Sequence, residues 1–252
     1  MNILERECSE GVAVLRLNRP ERHNAIDGPL REALSQAFAW AEQATEVRAI
    51  LLCGAGRSFC SGREISEMGQ HAEGQSRHAY FEALQQTTLR QFAMTKPMVA
   101  ALHGAVFGAG AELALIADVR IAADNMAFAL PEVKYGVAVD TGGSALAAEL
   151  AGPARAKWLL MSGEKIDATT ALAWGLAEWV IPLDDLQKRA LALARTLAAQ
   201  PPEAVRQAKK LVHVKLTQAL QEGMRLELAA QTELFAGEEY AQLQAAAVRS
   251  KS

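Results

Sequence analysis

The fold is decided by the stretch His103-Gly104-Ala105-Val106-Phe107-Gly108-Ala109-Gly110-Ala111-Glu112-Leu113. An apolar run, 98–102, precedes its glycines and another, 111–117, follows them, which predicts a buried strand, a tight turn and a buried helix. The glycines and the charged residues argue against a membrane span, although 98–119 is rich in apolar residues. We therefore expect this segment to lie in a protein core.

On either side of this stretch, the chain predicts strand–turn–helix units first and helices last. The apolar run 48–53 predicts a strand covered on both faces, 11–17 a strand with 3–8 as its hairpin partner, and 119–122 a further short strand. Helices are predicted at 30–46, 76–94, 145–150, 154–162, 167–174 and 183–199, another opens at Pro201-Pro202, and a long amphipathic helix covers 214–235. We expect one α/β core with a C-terminal helical layer.

The composition agrees with a globular protein that does not bind nucleic acid. Of 252 residues, 50% are hydrophobic and 22% are charged, which is enough for a sizeable core. There are 26 Lys and Arg residues against 29 Asp and Glu residues, so the net charge is −3. This balance gives no electrostatic basis for nucleic-acid binding.

Cysteine and histidine spacings exclude further classes. Cys8, Cys53 and Cys60 form no C-x-x-C pair, which argues against a disulfide scaffold and a zinc ribbon and for a reducing compartment. The histidines form no H-x-x-x-H pair, so no metal site is expected. There is no P-loop, and Gly108 and Gly110 lack the third glycine of a dinucleotide fingerprint. Residues 1–7 show no signal or transit pattern, so we expect a cytoplasmic protein.

Three acidic residues are candidates for chemistry. Glu112 lies in an apolar run, where an unpaired carboxylate is costly or takes up a proton. Structural alternatives stay open: Glu112 caps its own helix or pairs with an arginine, Glu132 is the first-turn acid of a helix after Pro131, and Asp140 is the N-cap of the helix after Gly142.

The two glycine-rich turns are candidates for binding an oxyanion. A strand that ends in glycine and opens a helix leaves backbone N–H groups without an internal acceptor. The amides of Arg63, after Gly62, and of Ala109, after Gly108, can therefore converge on one developing negative charge. Together with two carboxylates, they supply what enolate chemistry beside a carbonyl needs. The alternative is that both turns only reverse the chain.

Several stretches of the chain, taken together, resemble the crotonase (enoyl-CoA hydratase/isomerase) superfamily. They are Leu17-Asn18-Arg19-Pro20-Glu21-Arg22-His23-Asn24-Ala25, Phe59-Cys60-Ser61-Gly62-Arg63-Glu64-Ile65, the 103–113 stretch quoted above, Pro131-Glu132 and 136–143. The resemblance implies a crotonase-like spiral of ββα repeats with a C-terminal helical region. It implies a spiral core over 1–195, a trimerisation region over 196–252, and a homotrimer or dimer of trimers.

The resemblance also implies a substrate and a site. The substrate is an acyl-CoA thioester, whose oxygen sits between the amides of Arg63 and Ala109. In this family, the position of Ala109 is usually occupied by glycine. Glu112 and Glu132 match the two glutamates that hold the water in hydratases. No cofactor is implied beyond the coenzyme A of the substrate, and no nucleic acid, membrane or metal. Substrate and CoA contacts are expected from Arg22, His23, Ala25, Ser61, Gly62, Arg63, Glu64, Ile65, Phe107 and Gly108.

Three functions follow from the resemblance. The first is enoyl-CoA hydratase, the reversible syn addition of water to a 2-enoyl-CoA. Asp140 stands where common hydratases carry glycine and is similar to the acid of dienoyl-CoA isomerases, so the alternative is a double-bond isomerase that uses Glu132 and Asp140. A non-catalytic acyl-CoA-binding oligomer is the remaining alternative, and retention of two costly carboxylates argues against it.

Overall fold

The computed structural model describes residues 2–64 and 76–249. The strands are Leu4–Ser9 (β1), Val12–Leu17 (β2), Ala49–Gly54 (β3), Met98–Leu102 (β4), Ala105–Phe107 (β5), Val119–Ala123 (β6), Ala127–Ala129 (β7), Ile166–Asp167 (β8) and Trp179–Ile181 (β9). The helices are Gly28–Gln43 (α1), Arg77–Phe92 (α2), Ala109–Leu115 (α3), Gly143–Ala151 (α4), Pro153–Ser162 (α5), Ala168–Trp174 (α6), Leu186–Ala198 (α7), Pro202–Ala236 (α8) and Glu238–Arg249 (α9). The expected α/β architecture with C-terminal helices is confirmed.

The larger sheet has the strand order β1-β2-β3-β4-β6-β9. Strands β1 and β2 form the predicted antiparallel hairpin, and every other neighbouring pair is parallel. Helix α7 covers one face, where Leu186 and Ala190 pack with Leu51 and Val99. The opposite face, which includes Leu52, belongs to the main core with α1. Because both faces are covered, the central strands are continuously apolar, as predicted from 48–53.

A second, smaller sheet carries the glycine-rich turns. Its strands are in the order β5-β7-β8, and isolated bridges join Cys60 to Val106 and Ile26 to Arg63. The chain is built from units of two strands and a helix, such as β4–β5–α3 and β6–β7–α4. In each of these units the first strand belongs to the larger sheet and the second to the smaller sheet. This is the expected ββα repeat. It places the start of α3 directly after the smaller sheet.

Helix α8, in the C-terminal region, packs against α2 and α4. The sequence suggested a helix opening at 201–202 and an amphipathic helix at 214–235, whereas the structure has one helix from Pro202 to Ala236. Gly223 lies inside it, where an added Cβ would come within 2.6 Å of the Ala145 side chain. A glycine there allows the close approach of α8 to α4 rather than breaking the helix.

The division into a core over 1–195 and a trimerisation region over 196–252 stays a prediction. Within residues 2–64 and 76–249, no helix combines the length and the hydropathy of a membrane span. The segment 98–119 instead forms β4, β5 and α3. Most of its side chains are buried, which confirms the expectation that it belongs to the core.

Candidate active site

The two glycine-rich turns lie side by side. The Phe107 amide donates to the Cys60 carbonyl over 3.0 Å, which fixes the turn after β5 against the segment that leads to Gly62. A Cβ at Gly62 would come within 2.8 Å of the Phe107 oxygen and 3.6 Å of the Ala109 nitrogen. With φ at +103°, this position therefore requires glycine for both space and backbone conformation.

The amides of Arg63 and Ala109 have no acceptor in the part of the chain that the structure describes. Both residues line the same cleft. Ala109 is the first residue of α3, where a helix leaves its N–H groups unpaired. The two turns thus provide two unpaired N–H donors in one cleft, the arrangement that stabilises an oxyanion.

The cleft has two lobes that share Arg63, Ala109 and Glu112. The first, of about 570 Å³, is lined by side chains of α1 and α2 and is called the α1–α2 lobe. The second, of about 640 Å³, is lined by residues that include Glu132 and Asp140 and is called the Glu132 lobe. The shared residues place the two donors and one carboxyl group between the lobes.

Glu112 belongs to α3 and is 2% exposed. Its Oε1 accepts the amides of Thr141, at 2.9 Å, and Gly143, at 3.0 Å, so it neither caps its own helix nor pairs with an arginine. Burial raises the pKa of Glu112 well above its ordinary value, and the nearby carboxylates of Asp140 and Glu227 raise it further. Burial and these two neighbours therefore favour the protonated form of Glu112, and because Oε1 accepts the two amides, Oε2 is the oxygen available to carry the proton.

Glu132 is the first residue of a 3-10 turn, Glu132–Tyr135, as the structural alternative predicted. A Cβ at Gly108, whose φ is +52°, would come within 2.8 Å of Glu132 Oε1, so glycine is needed there. Glu132 Oε2 is buried and has no hydrogen-bond partner among the described residues. The pKa of Glu132 is raised to about 7, chiefly by burial. The negative charge of Asp140 also raises this pKa, whereas the positive charge of Arg63 lowers it. The group can therefore gain and lose a proton near neutrality.

Asp140 is 2% exposed and is held in an ion pair. Arg63 Nη2 donates to its Oδ1 over 2.8 Å, and Gln231 Nε2 donates to its Oδ2 over 3.0 Å. The interpretation of Asp140 as an N-cap is wrong, because Gly142 occupies the N-cap position of α4 and glutamates accept the amides of the first turn. Unlike Glu132, Asp140 has partners on both carboxylate oxygens.

Glu227 and Gln231, both on α8, are functional-site residues that sequence analysis missed. Glu227 Oε2 accepts the Gly142 amide over 2.7 Å, and its Oε1 accepts the Ser144 amide and hydroxyl over 2.9 and 2.5 Å. The four successive amides of 141–144 therefore bind Glu112 and Glu227 alternately. The sequence held one signal: both polar residues fall on the buried stripe of α8, which consists of Leu220, Met224, Glu227, Gln231 and Phe235.

The predicted substrate contacts divide into two groups. Those that line the Glu132 lobe are Ser61, Gly62, Arg63, Phe107 and Gly108. Those that line neither lobe are Arg22, His23, Ala25 and Glu64. The second group lies alongside the first, since the Ser61 amide donates to the His23 carbonyl over 3.0 Å and Arg22 pairs with Glu64 at 3.5 Å. Ile65 lies outside the described residues.

No metal site is formed by the described part of the chain, since no three His, Cys, Asp or Glu side chains within it come together as ligands. The chemical groups of the cleft are therefore two amide donors, one carboxyl group whose pKa is raised by burial, a second whose pKa is about 7, and an ion pair. They are suited to stabilising an enolate and to moving protons beside it.

Comparison with known proteins agrees with this geometry. The family model described as enoyl-CoA hydratase/isomerase matches residues 7–246. A carnitinyl-CoA dehydratase of Proteus mirabilis is 35% identical over 83% of this chain and 80% of its own length, and a 1,2-epoxyphenylacetyl-CoA isomerase of Escherichia coli is 33% identical over 90% and 88%. The crystal structure of an enoyl-CoA hydratase from Mycobacterium avium subsp. paratuberculosis superposes with a TM-score of 0.87 at 28% identity, covering 96% of this chain and 98% of that one.

Proposed function

Because this chain belongs to the enoyl-CoA hydratase/isomerase family, we propose that it is a hydratase, which adds water reversibly and syn across the double bond of a 2-enoyl-CoA. The observation that carries this proposal is the buried Oε2 of Glu132, which has no partner among the described residues and lies in the same cleft as two free amide donors and Glu112, whose pKa is raised by burial. Asp140, in contrast, is already occupied by Arg63 and Gln231.

The thioester oxygen lies between the amides of Arg63 and Ala109. As water adds to the β carbon, the carbonyl electrons move onto this oxygen, and the two donors stabilise the enolate. Because both donors are backbone groups held by the glycine turns, they need no reorganisation during the reaction. A single donor of this kind contributes about 100-fold to 1,000-fold to the rate.

The two glutamates move the protons. Glu132 in its ionised form removes a proton from water, whose oxygen forms the bond to the β carbon. Glu112 gives the proton on its Oε2 to the α carbon as the enolate collapses to the thioester. Proton exchange through the cleft then returns both groups to their starting forms. The pKa of Glu132, about 7, suits a base that must be free in part of the population at neutral pH.

The alternative is a double-bond isomerase in which Glu132 and Asp140 transfer a proton between carbons. One observation favours it: both acids line the same lobe. It requires Asp140 to leave Arg63, since that pair is 2.8 Å long and buried. An isomerase changes the position of the double bond without changing the mass, so the products distinguish the two reactions.

The test is turnover of crotonyl-CoA, followed by loss of the conjugated thioester absorbance and by the mass gain of one water. The hydratase proposal predicts that Glu112→Gln and Glu132→Gln each lower turnover by at least about 100-fold. Glu149→Gln, an exposed glutamate of α4, is the matched control and should leave turnover unchanged. Isomerisation without mass gain, abolished in Asp140→Asn, would favour the alternative. If no acyl-CoA raises the melting temperature, both reactions are refuted, whereas a raised melting temperature without either reaction would favour the non-catalytic acyl-CoA-binding alternative.

We also propose that the protein assembles as a homotrimer or dimer of trimers in the cytoplasm and needs no cofactor beyond the coenzyme A of its substrate. Exposed apolar side chains support assembly: Met161 of α5 is 71% exposed, and Leu211 and Val212 of α8 are 79% and 66% exposed. Sedimentation at micromolar concentration should give a trimer or hexamer, and a monomer would contradict this. The net charge of −3 agrees with the absence of nucleic-acid partners.

CoA itself should contact the 22–25 turn and the neighbouring segment that begins at Ser61. The support is their adjacency, since the Ser61 amide donates to the His23 carbonyl and His23 Nδ1 lies 2.9 Å from Ser58 Oγ. Most of these contacts are through the backbone, which binds the adenosine and pantetheine groups without regard to side-chain type. A crystal structure with bound CoA would test them.

A further inference from the structure

The α1–α2 lobe is a largely apolar pocket that is also lined by two arginines. Its walls include Leu34, Leu84, Leu113 and Ile116, together with Arg31 and Arg63. Among the described residues that line it, Glu112 is the one acidic residue, and burial raises its pKa. An ordinary hydrocarbon chain needs no such charge, and each guanidinium in an apolar pocket is costly unless it is paired.

The positive charge of Arg63 is neutralised by an ion pair, whereas that of Arg31 has no ion-pair partner among the described residues. Arg63 pairs with Asp140 over 2.8 Å. Arg31, half-buried on α1, donates from Nη1 to the Tyr80 hydroxyl over 3.2 Å, and its guanidinium carbon lies 5.5 Å from the centre of that ring. It forms no ion pair with any carboxylate of residues 2–64 and 76–249. Arg31 is therefore positioned by an aromatic ring and keeps donors for an anion.

Gln91 is a further hydrogen-bond donor of this lobe. It belongs to α2, is 8% exposed and lines the lobe. Its side-chain amide makes no hydrogen bond within the described ranges, although neighbouring Gln85 uses its amide twice, on the carbonyls of Asp140 and Met224. The atoms of this amide are not buried, so they can donate to a ligand oxygen inside the lobe.

We propose that the substrate carries a carboxylate on its acyl chain, so that this site takes the 2-enoyl thioester of a dicarboxylic acid. The thioester oxygen lies at the amides of Arg63 and Ala109, the chain enters the α1–α2 lobe, and the far carboxylate binds Arg31 and accepts a hydrogen bond from Gln91. The proposal rests on the proposed function for the reaction itself and adds the class of acyl group.

The test compares two thioesters of matched shape. Glutaconyl-CoA carries the carboxylate, and 5-methyl-2-hexenoyl-CoA has an isopropyl group in its place. The wild-type enzyme should prefer glutaconyl-CoA in kcat/KM, and the preference should fall with added salt. Arg31→Gln should lower the preference by about 10-fold to 100-fold, because a charge-assisted hydrogen bond is lost. Arg31→Lys should restore part of the preference by keeping the positive charge.

Arg6→Gln is the matched control. The Arg6 guanidinium also lies over an aromatic ring, 5.2 Å from the centre of Trp40, but on the exposed strand β1 and away from both lobes. It should leave the preference unchanged. If Arg31→Gln does not fold, Gln91→Leu provides a second variant, which should lower the preference by several-fold through the loss of one donor.

The outcomes separate this proposal from the proposed function. Hydration of both thioesters without a preference, or with a preference that Arg31→Gln does not change, refutes the carboxylate site and leaves the hydratase proposal standing. Hydration of neither refutes the hydratase proposal. In that case the dissociation constants of the saturated pair, glutaryl-CoA and 5-methylhexanoyl-CoA, still test the site, since glutaryl-CoA should bind more tightly and lose this advantage in Arg31→Gln.

Discussion

Replacing Glu132 by glutamine should stabilise the protein at high pH relative to the wild type. The pKa of Glu132 is about 7 in the folded protein, against an ordinary 4.5, chiefly because the carboxyl group is buried beside Gly108. The folded state thus binds this proton more tightly than the unfolded chain. Its contribution to stability is present below pH 4.5 and is lost as the pH rises through about 7. Glutamine has the same shape and does not titrate.

The magnitude follows from the pKa difference. At about 1.4 kcal/mol per pH unit, the difference between about 7 and 4.5 corresponds to about 3 kcal/mol. The free energy of unfolding of Glu132→Gln, minus that of the wild type, should therefore increase by about 3 kcal/mol between about pH 4 and pH 8. Titrations elsewhere in the chain occur in both proteins and cancel in this difference.

The assay is urea unfolding of both proteins at several pH values, with the slope m compared to confirm that the same surface is exposed on unfolding. The control is Glu149→Gln on the exposed face of α4, for which the difference from wild type should stay constant with pH. A constant difference for Glu132→Gln as well would mean that its charge is solvated in the folded protein. Its assignment as a buried base would then be wrong.

Three further predictions concern the neighbours of this group and the core. Asp140→Asn should lower the pKa of Glu132, because it removes a negative neighbour and leaves the positive charge of the arginine unpaired, so the rising limb of the kcat/KM–pH profile should move below pH 7. Glu227→Leu leaves the buried Gly142 amide and the partly buried Ser144 amide without acceptors and should lower the urea-derived free energy of unfolding by about 2–5 kcal/mol. Lys209→Met removes one partner, 2.8 Å away, of the half-buried Asp118 carboxylate, which keeps the Met98 amide and His213, and should lower the free energy of unfolding by about 1–2 kcal/mol; an unchanged melting temperature would show that this ion pair contributes nothing to stability.

The larger sheet and the glycine turns were predictable from the sequence because their signals are local. Continuous apolar runs at 48–53 and 98–102 predict strands buried on both faces, and the structure has β3 and β4 there. In contrast, β5 and β7 have three residues each, which is too short for any period to be recognised. The smaller sheet therefore became visible only in three dimensions, although it is what holds the two turns together.

The partners of the acids could not be predicted, because they are distant in sequence. Asp140 pairs with Arg63, 77 residues away, and Glu112 shares the amides at the start of α4 with Glu227 of α8. An acidic residue on an amphipathic helix such as α8 is most simply assigned to the solvent face. Only the burial of Glu227, which is 4% exposed, reveals that it belongs to the site. The candidate acids follow from the sequence, and the partners of each follow from the packing.

The central claim is that one substrate oxygen binds both main-chain amides while the reacting carbons lie between the two glutamates. A crystal structure with a bound 3-hydroxyacyl-CoA, the product of hydration, tests this directly. We predict that the thioester oxygen lies about 2.7–3.2 Å from the amide nitrogens of both Arg63 and Ala109, with the 3-hydroxyl group in hydrogen-bond contact with Glu132. A thioester oxygen bound to neither amide, or a hydroxyl group directed away from both glutamates, would contradict the account.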